Sequence, residues 1–251
     1  MIKIGAMRYA IVIAIGLLIT ALSGVYTLSF MAILGVTIAF WGIILYYIRP
    51  TKQVPISIIT ATSSPNTDNL NRIFSELNIT QKGIYLPPSK LYDPESSLIF
   101  IPKKPLQTIP SNDEITNNLF TTRKDGILLS PPGYGLTKIM EQKLGKSFSK
   151  LDLQNLKTHL PRLLVEDLEI AENLYIETET NIVTFKIEEN IFMGECNQAQ
   201  KHLQVHDAIG CLLSSALACA LTKATGKPVT INNEETIGKT TKIIYQLVEE
   251  Q

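Results

Sequence analysis

The chain has 251 residues, 23 basic and 23 acidic side chains, a formal charge of zero, and 45% hydrophobic residues. That balance excludes a basic footprint for nucleic acid, and 7% aromatic residues leave no stacking platform for single strands. Charge is unevenly placed: residues 9–48 contain no Asp, Glu, Lys or Arg, which a helix with one face in water rarely tolerates.

A membrane-spanning helix needs about 20 apolar residues. The uncharged block therefore predicts two spans, Met7–Ser23 and Leu28–Ile48, joined by a short uncharged turn. Lys3, Arg8, Arg49 and Lys52 flank the outer ends, and no acidic residue precedes Asp68. Basic residues stay on the cytoplasmic side, so both ends of this transmembrane hairpin are expected there. Ala10 and Ala14, and Gly35 and Ala39, are small residues four apart that let helices approach. Trp41, Tyr46 and Tyr47 suit the interface. With no ionisable group inside the spans, the bilayer is read as a partner for anchoring and not as a barrier to be crossed by cargo. The rival reading is a signal peptide, with Lys3 and Arg8 before the apolar run and Ala21-Leu22-Ser23 as its cleavage motif.

The predicted class is α+β, with a two-helix hairpin over residues 1–50 and one mixed α/β cytoplasmic domain over 51–251. That domain has a subdivision near 110–172, with 173–251 after it. Residues 52–251 carry a net charge of −3, and about 200 residues suffice for one sizeable core. Cys196, Cys211 and Cys219 form no disulfide framework, and a cytoplasmic face predicts three reduced, mostly buried thiols.

Val54–Ala61 reads as a strand. Asn66-Thr67-Asp68 starts a helix with Leu70, Ile73, Phe74 and Leu77 at helical spacing. Gly83–Leu86 and Ser97–Ile101 are further strands. Leu119–Thr122 and Gly126–Leu129 form a hairpin. Ser130-Pro131-Pro132-Gly133-Tyr134-Gly135 leads into a helix ending near Leu144. Asp152 opens another, and Pro161 is placed in the first turn of a third. Leu174–Glu179 and Ile182–Glu188 form a second hairpin around Thr180-Asn181. Asp207 caps a helix to Thr225, closed by Gly226. Its 15 uncharged residues are too few to span comfortably and predict a central buried helix. Val229–Ile231 and Lys242–Val248 are closing strands.

The stretch Leu174–Val248 has a hairpin, a connecting helix, a small-residue helix with Cys211, then "TGKPVTINNEE" and a last strand. It resembles the small-molecule-binding fold of 4-vinyl-reductase-like domains and of certain vesicle-tethering subunits. The resemblance implies a ligand-binding domain. Such domains often carry a cysteine cluster near their end, whereas this chain has no cysteine after Cys219. The whole arrangement, with "PPGYGL" and "LPRLLVEDLE", resembles archaeal membrane-anchored proteins that imply no particular activity.

Four constellations could carry chemistry. Cys196, His202, His206 and Cys211 offer two thiolates and two imidazoles for a tetrahedral zinc ion, though their spacing matches no established zinc pattern. Gly133 and Gly135 before a helix could present N–H groups to an anion, with Arg123 and Lys124 adding charge; a structural turn is the simpler reading. Gly238-Lys239-Thr240-Thr241 resembles the end of a phosphate loop, but Asn233 stands where glycine is needed. Glu166, Asp167, Glu169 and Glu172 read as the wet side of a helix, and Ser214-Ser215 has no identifiable base. No catalytic residue is assigned. Gly133, Gly135, Cys211 and Ser214 remain the candidates for contact with a ligand.

The expected function is a non-catalytic, membrane-anchored domain binding a small apolar ligand or a protein partner along the Asp207–Thr225 helix, as a homo-oligomer or within a membrane complex. The alternatives are an accessory subunit of such a complex and a metal-dependent enzyme, for which zinc is the one cofactor considered.

Overall fold

The computed structural model describes residues 4–25, 29–47, 67–91, 93, 95–105, 120–121, 126–200 and 203–249. The chain divides into two compact units, Met1–Ile59 and Thr60–Gln251. The Val54–Ala61 strand, Asn66, Arg123, Lys124 and His202 lie outside the described residues.

The first unit is a pair of helices, α1 (Ile4–Val25) and α2 (Ser29–Tyr47). They run antiparallel at close range, because glycine removes the side chain where the backbones meet. A Cβ on Gly16 would lie 2.5 Å from the Ala39 nitrogen, and one on Gly35 would lie 2.7 Å from the Thr20 nitrogen. Gly35 and Ala39 are thus at the contact, as their spacing predicts, but their partner is Gly16; Ala14 points outward. Large apolar side chains cover the outside of the pair, among them Leu17, Phe30 and Ile33.

The second unit is a mixed α/β structure. Helix α3 spans 67–76 and buries Phe74, while Ile73 of its predicted apolar face is exposed. The strands are β1 (Ile84–Tyr85), β2 (Ile99–Pro102), β3 (Phe120–Thr121), β4 (Gly126–Leu129), β5 (Asn173–Glu179), β6 (Ile182–Glu188), β7 (Val229–Ile237) and β8 (Thr240–Leu247). Among the described residues they form one antiparallel sheet in the order β3-β4-β2-β1-β7-β8-β6-β5. The helices are α4 (Tyr134–Leu144), α5 (Leu153–Arg162), α6 (Met193–Ala199), α7 (Leu203–Ile209) and α8 (Leu212–Thr225). Helix α8 lies against β1 and β7 and is flanked by α4 and α5. Every residue from Leu213 to Lys223 is buried, as a central helix requires. The hairpin, connecting helices, small-residue helix and closing strands expected over 174–248 occur in that order.

Three local expectations are corrected. Pro161 sits in the last turn of α5, not at the start of a helix. The chain then widens into a π-turn over Leu163–Asp167, in which the Leu168 N–H donates to the Leu163 carbonyl at 3.0 Å. Proline withholds its own N–H and crowds the preceding turn, which favours such a wider bond pattern. Asp207 is inside α7 and does not open α8: the single helix predicted from it to Thr225 breaks at Gly210. There φ is +68°, the left-handed region that ends a helix and favours glycine. Finally, Cys196 and Cys211 are joined as a disulfide, where reduced thiols are predicted. Cys211 directly follows the break at Gly210, and its Cα lies 5.2 Å from that of Cys196 in α6, within disulfide reach. Cys219 alone is a free buried thiol among the described cysteines.

Candidate functional site

The break between α7 and α8 is held from two sides. Buried Tyr85 of β1 donates its hydroxyl proton to the Ile209 carbonyl at 2.6 Å, and buried Tyr245 of β8 donates to the Ser214 carbonyl at 2.8 Å. Burial first, then the charge of nearby Cys219 and Glu234, pushes the Tyr85 hydroxyl well above the usual tyrosine range; burial and Glu234 do the same for Tyr245. Both remain neutral donors. The Ser214 hydroxyl accepts from the Cys211 N–H at 2.8 Å and lies 3.2 Å from the Cys211 carbonyl, closing the first turn of α8. A Cβ on Gly210 would lie 2.5 Å from the Ser214 hydroxyl oxygen, so any side chain there would also have to displace the hydroxyl that closes the first turn of α8.

Opposite this break stands Glu234. In β7 the register shifts between Ile231 and Asn233, so Asn232 is an extra residue. A bulge reverses the in–out alternation of a strand. It carries Glu234 onto the inner face, where its side chain is 2% exposed. Neither carboxylate oxygen has a hydrogen-bond partner. The Cys196 and Cys211 sulfurs and a Glu234 oxygen all lie within 4.8 Å of one another. On the other side, His206 Nε2 of α7 is 3.4 Å from Glu234 Oε2 and also lacks a hydrogen bond. Burial opposes protonation of His206, but the adjacent Glu234 carboxylate, and then Asp207, outweigh it and raise its pKa above the ordinary histidine value.

Of the predicted metal set, the structure gathers Cys196 and Cys211, with His206 joined to them through Glu234. Glu234 is the residue that sequence reasoning missed. Its signal was the interruption of alternation after Ile231 in Val229-Thr230-Ile231-Asn232-Asn233-Glu234.

The other candidates are engaged elsewhere. The Gly133 N–H donates to the Ser215 hydroxyl at 3.0 Å. A Cβ on Gly133 would lie 2.0 Å from the Ala216 nitrogen, so this glycine is a packing contact between α4 and α8. Gly135 is exposed. Gly238 and Lys239 form the β7–β8 turn, with Gly238 at φ +60° and Lys239 paired to Glu189; they do not lead into a helix. Glu166 is exposed beside Arg162, as the wet-face reading predicts.

Beside α8 a shallow recess, lined in part by Tyr85, Ser97, Cys219 and Lys223, encloses no room for even a water molecule. It is smaller than the roughly 300–1,000 Å³ of typical small-molecule pockets. Lys223 in its wall pairs with Glu141 at 3.0 Å, both side chains largely buried. Burial pushes the Cys219 thiol up to about 12, despite opposing help from Ser97 and Thr137.

With this geometry in view, residues 6–246 match the family model described as Domain of unknown function (DUF7982), and the chain belongs to that family. Neither a curated protein nor a solved structure matches it.

Proposed function

We propose that this protein is a membrane-anchored, non-catalytic binding protein, held in the bilayer by the α1–α2 hairpin with its α/β unit on the cytoplasmic side. Its binding site is the cluster around Glu234. Anchoring is supported by the apolar exterior of the helix pair, where Leu17, Phe30 and Ile33 are each at least 60% exposed. Such a surface suits lipid, and the intrahelical bonds satisfy the backbone there. Lys3, Arg8, Arg49 and Lys52 support the cytoplasmic orientation.

The observation that carries the binding reading is the Glu234 carboxylate, 2% exposed, with neither oxygen hydrogen-bonded and His206 at 3.4 Å as its ionic neighbour among the described residues. A buried carboxylate with no hydrogen bond and a single imidazole at 3.4 Å is among the costlier arrangements in a fold, and an apolar residue of similar size would remove the cost. Retaining it beside two sulfurs and an imidazole supports a polar ligand, not the apolar one expected along α8. A non-catalytic role is supported by the hydroxyls of Ser214 and Ser215, which are engaged by Cys211 and by the Gly133 N–H.

The test is Glu234→Leu in the purified, ligand-free chain. A residue kept for binding at the expense of stability gives a variant that melts at the same or a higher temperature, with a gain on the order of 1–2 kcal/mol. A clear drop in melting temperature would show that the carboxylate is structural and end the reading.

A further inference from the structure

Resting on the Glu234 site just proposed, we infer that the dithiol form of the chain binds one zinc-like divalent metal ion through Cys196, Cys211 and Glu234, and that formation of the Cys196–Cys211 disulfide releases it.

Three features converge. The first is reach. Zinc bonds to sulfur at about 2.3 Å and to carboxylate oxygen at about 2.0–2.2 Å, so tetrahedral donors stand roughly 3.4–3.8 Å apart. The three donor atoms here lie within 4.8 Å of one another, so opening the sulfur–sulfur bond leaves small side-chain rotations to complete the set. The second is charge. Two thiolates and a carboxylate place three negative charges in a buried space; among the described residues His206 is the ionic neighbour of the carboxylate, and one imidazolium leaves charge for a metal ion to offset. Thiolate donors select zinc and other soft or borderline ions over magnesium and calcium. The third is support. The three donors come from separate elements: Cys196 from α6, Cys211 from the break set by Gly210 and Ser214, and Glu234 from the bulge at Asn232. His206, at 3.4 Å from the carboxylate, is a positioning residue behind it.

The two states exclude each other because they use the same sulfur electrons. Loading the ion on the dithiol displaces two thiol protons. Oxidation by a low-molecular-weight disulfide then forms the Cys196–Cys211 bond and breaks the oxidant's bond. Two electrons pass from the two thiolates to the oxidant, its sulfurs take up two protons to become thiols, and the metal ion leaves. A reducing compartment keeps the dithiol form, so the metal-bound state is the resting one on the cytoplasmic side.

The experiment uses the full chain in detergent under inert gas, reduced with a phosphine and titrated with Co²⁺ as the spectroscopic stand-in for zinc. The expected result is one Co²⁺ per chain with sulfur-to-cobalt charge-transfer absorption. That absorption is abolished by oxidised glutathione, lost in Cys196→Ser, unchanged in Cys219→Ser, and formed at least tenfold more weakly in Glu234→Gln. Circular dichroism establishes that each sample is folded, and the wild-type comparison of reduced with oxidised protein needs no variant. A folded, reduced chain with no charge-transfer band overturns the metal assignment. If Glu234→Leu is at the same time as stable as wild type or more so, the Glu234 site stands and only its ligand is wrong. A band that survives oxidation overturns the redox release. A band that depends on Cys219 instead of Cys196 overturns the ligand set.

Discussion

Glu234 and Ile243 face each other across the β7–β8 ladder, on the buried side of the sheet, although strict alternation from Ile231 would turn Glu234 outward. The extra residue Asn232 makes the difference. It brings the carboxylate to 3.4 Å from His206 Nε2. In the ligand-free chain the carboxylate depends on the imidazole, whereas a buried imidazole without the carboxylate can stay neutral. His206→Leu strips the carboxylate of its one ionic neighbour and is expected to destabilise by about 3–5 kcal/mol. The double variant His206→Leu/Glu234→Leu should recover most of that loss. Denaturant unfolding of the four members of the cycle measures the coupling; simple additivity would show that the pair does not interact.

The contact of Gly133 with α8 gives a second test. Gly133→Ala puts a methyl group 2.0 Å from the Ala216 nitrogen, and the obstacle is backbone, which cannot rotate away. The α4 and α8 helices must separate, with an expected loss of about 2–4 kcal/mol, in the upper range for overpacking. Gly135→Ala, at an exposed position with no atom within 4 Å, should be neutral or slightly stabilising by helix propensity. Equal effects at the two glycines would refute the packing role.

Lys223 and Glu141 form a pin between α8 and α4. Glu141 also accepts from the Ser147 hydroxyl and the Phe148 N–H, at 2.7 and 2.8 Å, so the carboxylate is committed on both oxygens. Lys223→Met leaves it charged and short of its cation, and should cost about 3–5 kcal/mol. Its thermal melt should fall accordingly, and a melt within error of wild type would count against the pin.

Cys219 supplies a pH signature. Its thiol is pushed up to about 12 by burial, above the value near 8.5 of an unfolded chain. The folded state therefore holds its proton more tightly. The stability linked to this group is complete below about pH 8.5 and is lost progressively as pH rises towards 12. At pH 8 the native chain should resist iodoacetamide at Cys219 and react there once unfolded. Mass mapping of the label decides it: rapid labelling of the native protein would mean the site is open.

The anchor reading is tested by alkaline carbonate extraction. The full chain should remain with the membrane pellet and keep residues 1–23. Release into the supernatant, or a mature chain beginning just after Ser23, would favour the signal-peptide alternative. Gly16→Leu, whose first side-chain carbon meets Ala39 backbone at 2.5 Å, should disturb packing of the two helices and leave membrane retention intact.

Much of the α/β unit was legible because its elements obey simple periods. Leu174–Glu179 and Ile182–Glu188 alternate, and Thr180-Asn181 gives them a turn; both strands formed as β5 and β6. The small-residue run after Cys211 pointed to a central helix, and α8 is buried along its length. What escaped were departures from period. Gly210 lies amid residues that continue a helical pattern, and its left-handed conformation is imposed by Ser214, Tyr85 and the sheet behind them. Asn232 lies in a strand, and local propensity does not announce a bulge. Pro161 is equally compatible with a helix start and with the last helical turn it occupies. The candidate site was half visible for the same reason. Cysteines and histidines are conspicuous by type, whereas Glu234 is one acidic residue among many until the register of β7 turns it inward.

The sheet has a further consequence, for the order in which it assembles. Strands β5, β6, β7 and β8 close through the local turns at Thr180-Asn181 and Gly238-Lys239, and through the β6–β8 ladder. The β1–β7 seam has two rungs, Ile84 to Thr230 and Tyr85 to Val229, and joins parts of the chain far apart in sequence. Pairings of such separation pay the largest loop-closure entropy and form slowly. On the ribosome, β1, β2 and β4 emerge long before the strand that receives them. Ile99 and Ile101 of β2 and Ile127 of β4, which share a core with α8, stay uncovered until α8 and β7 have emerged, so that interval is when a nascent chain is most exposed to misassembly.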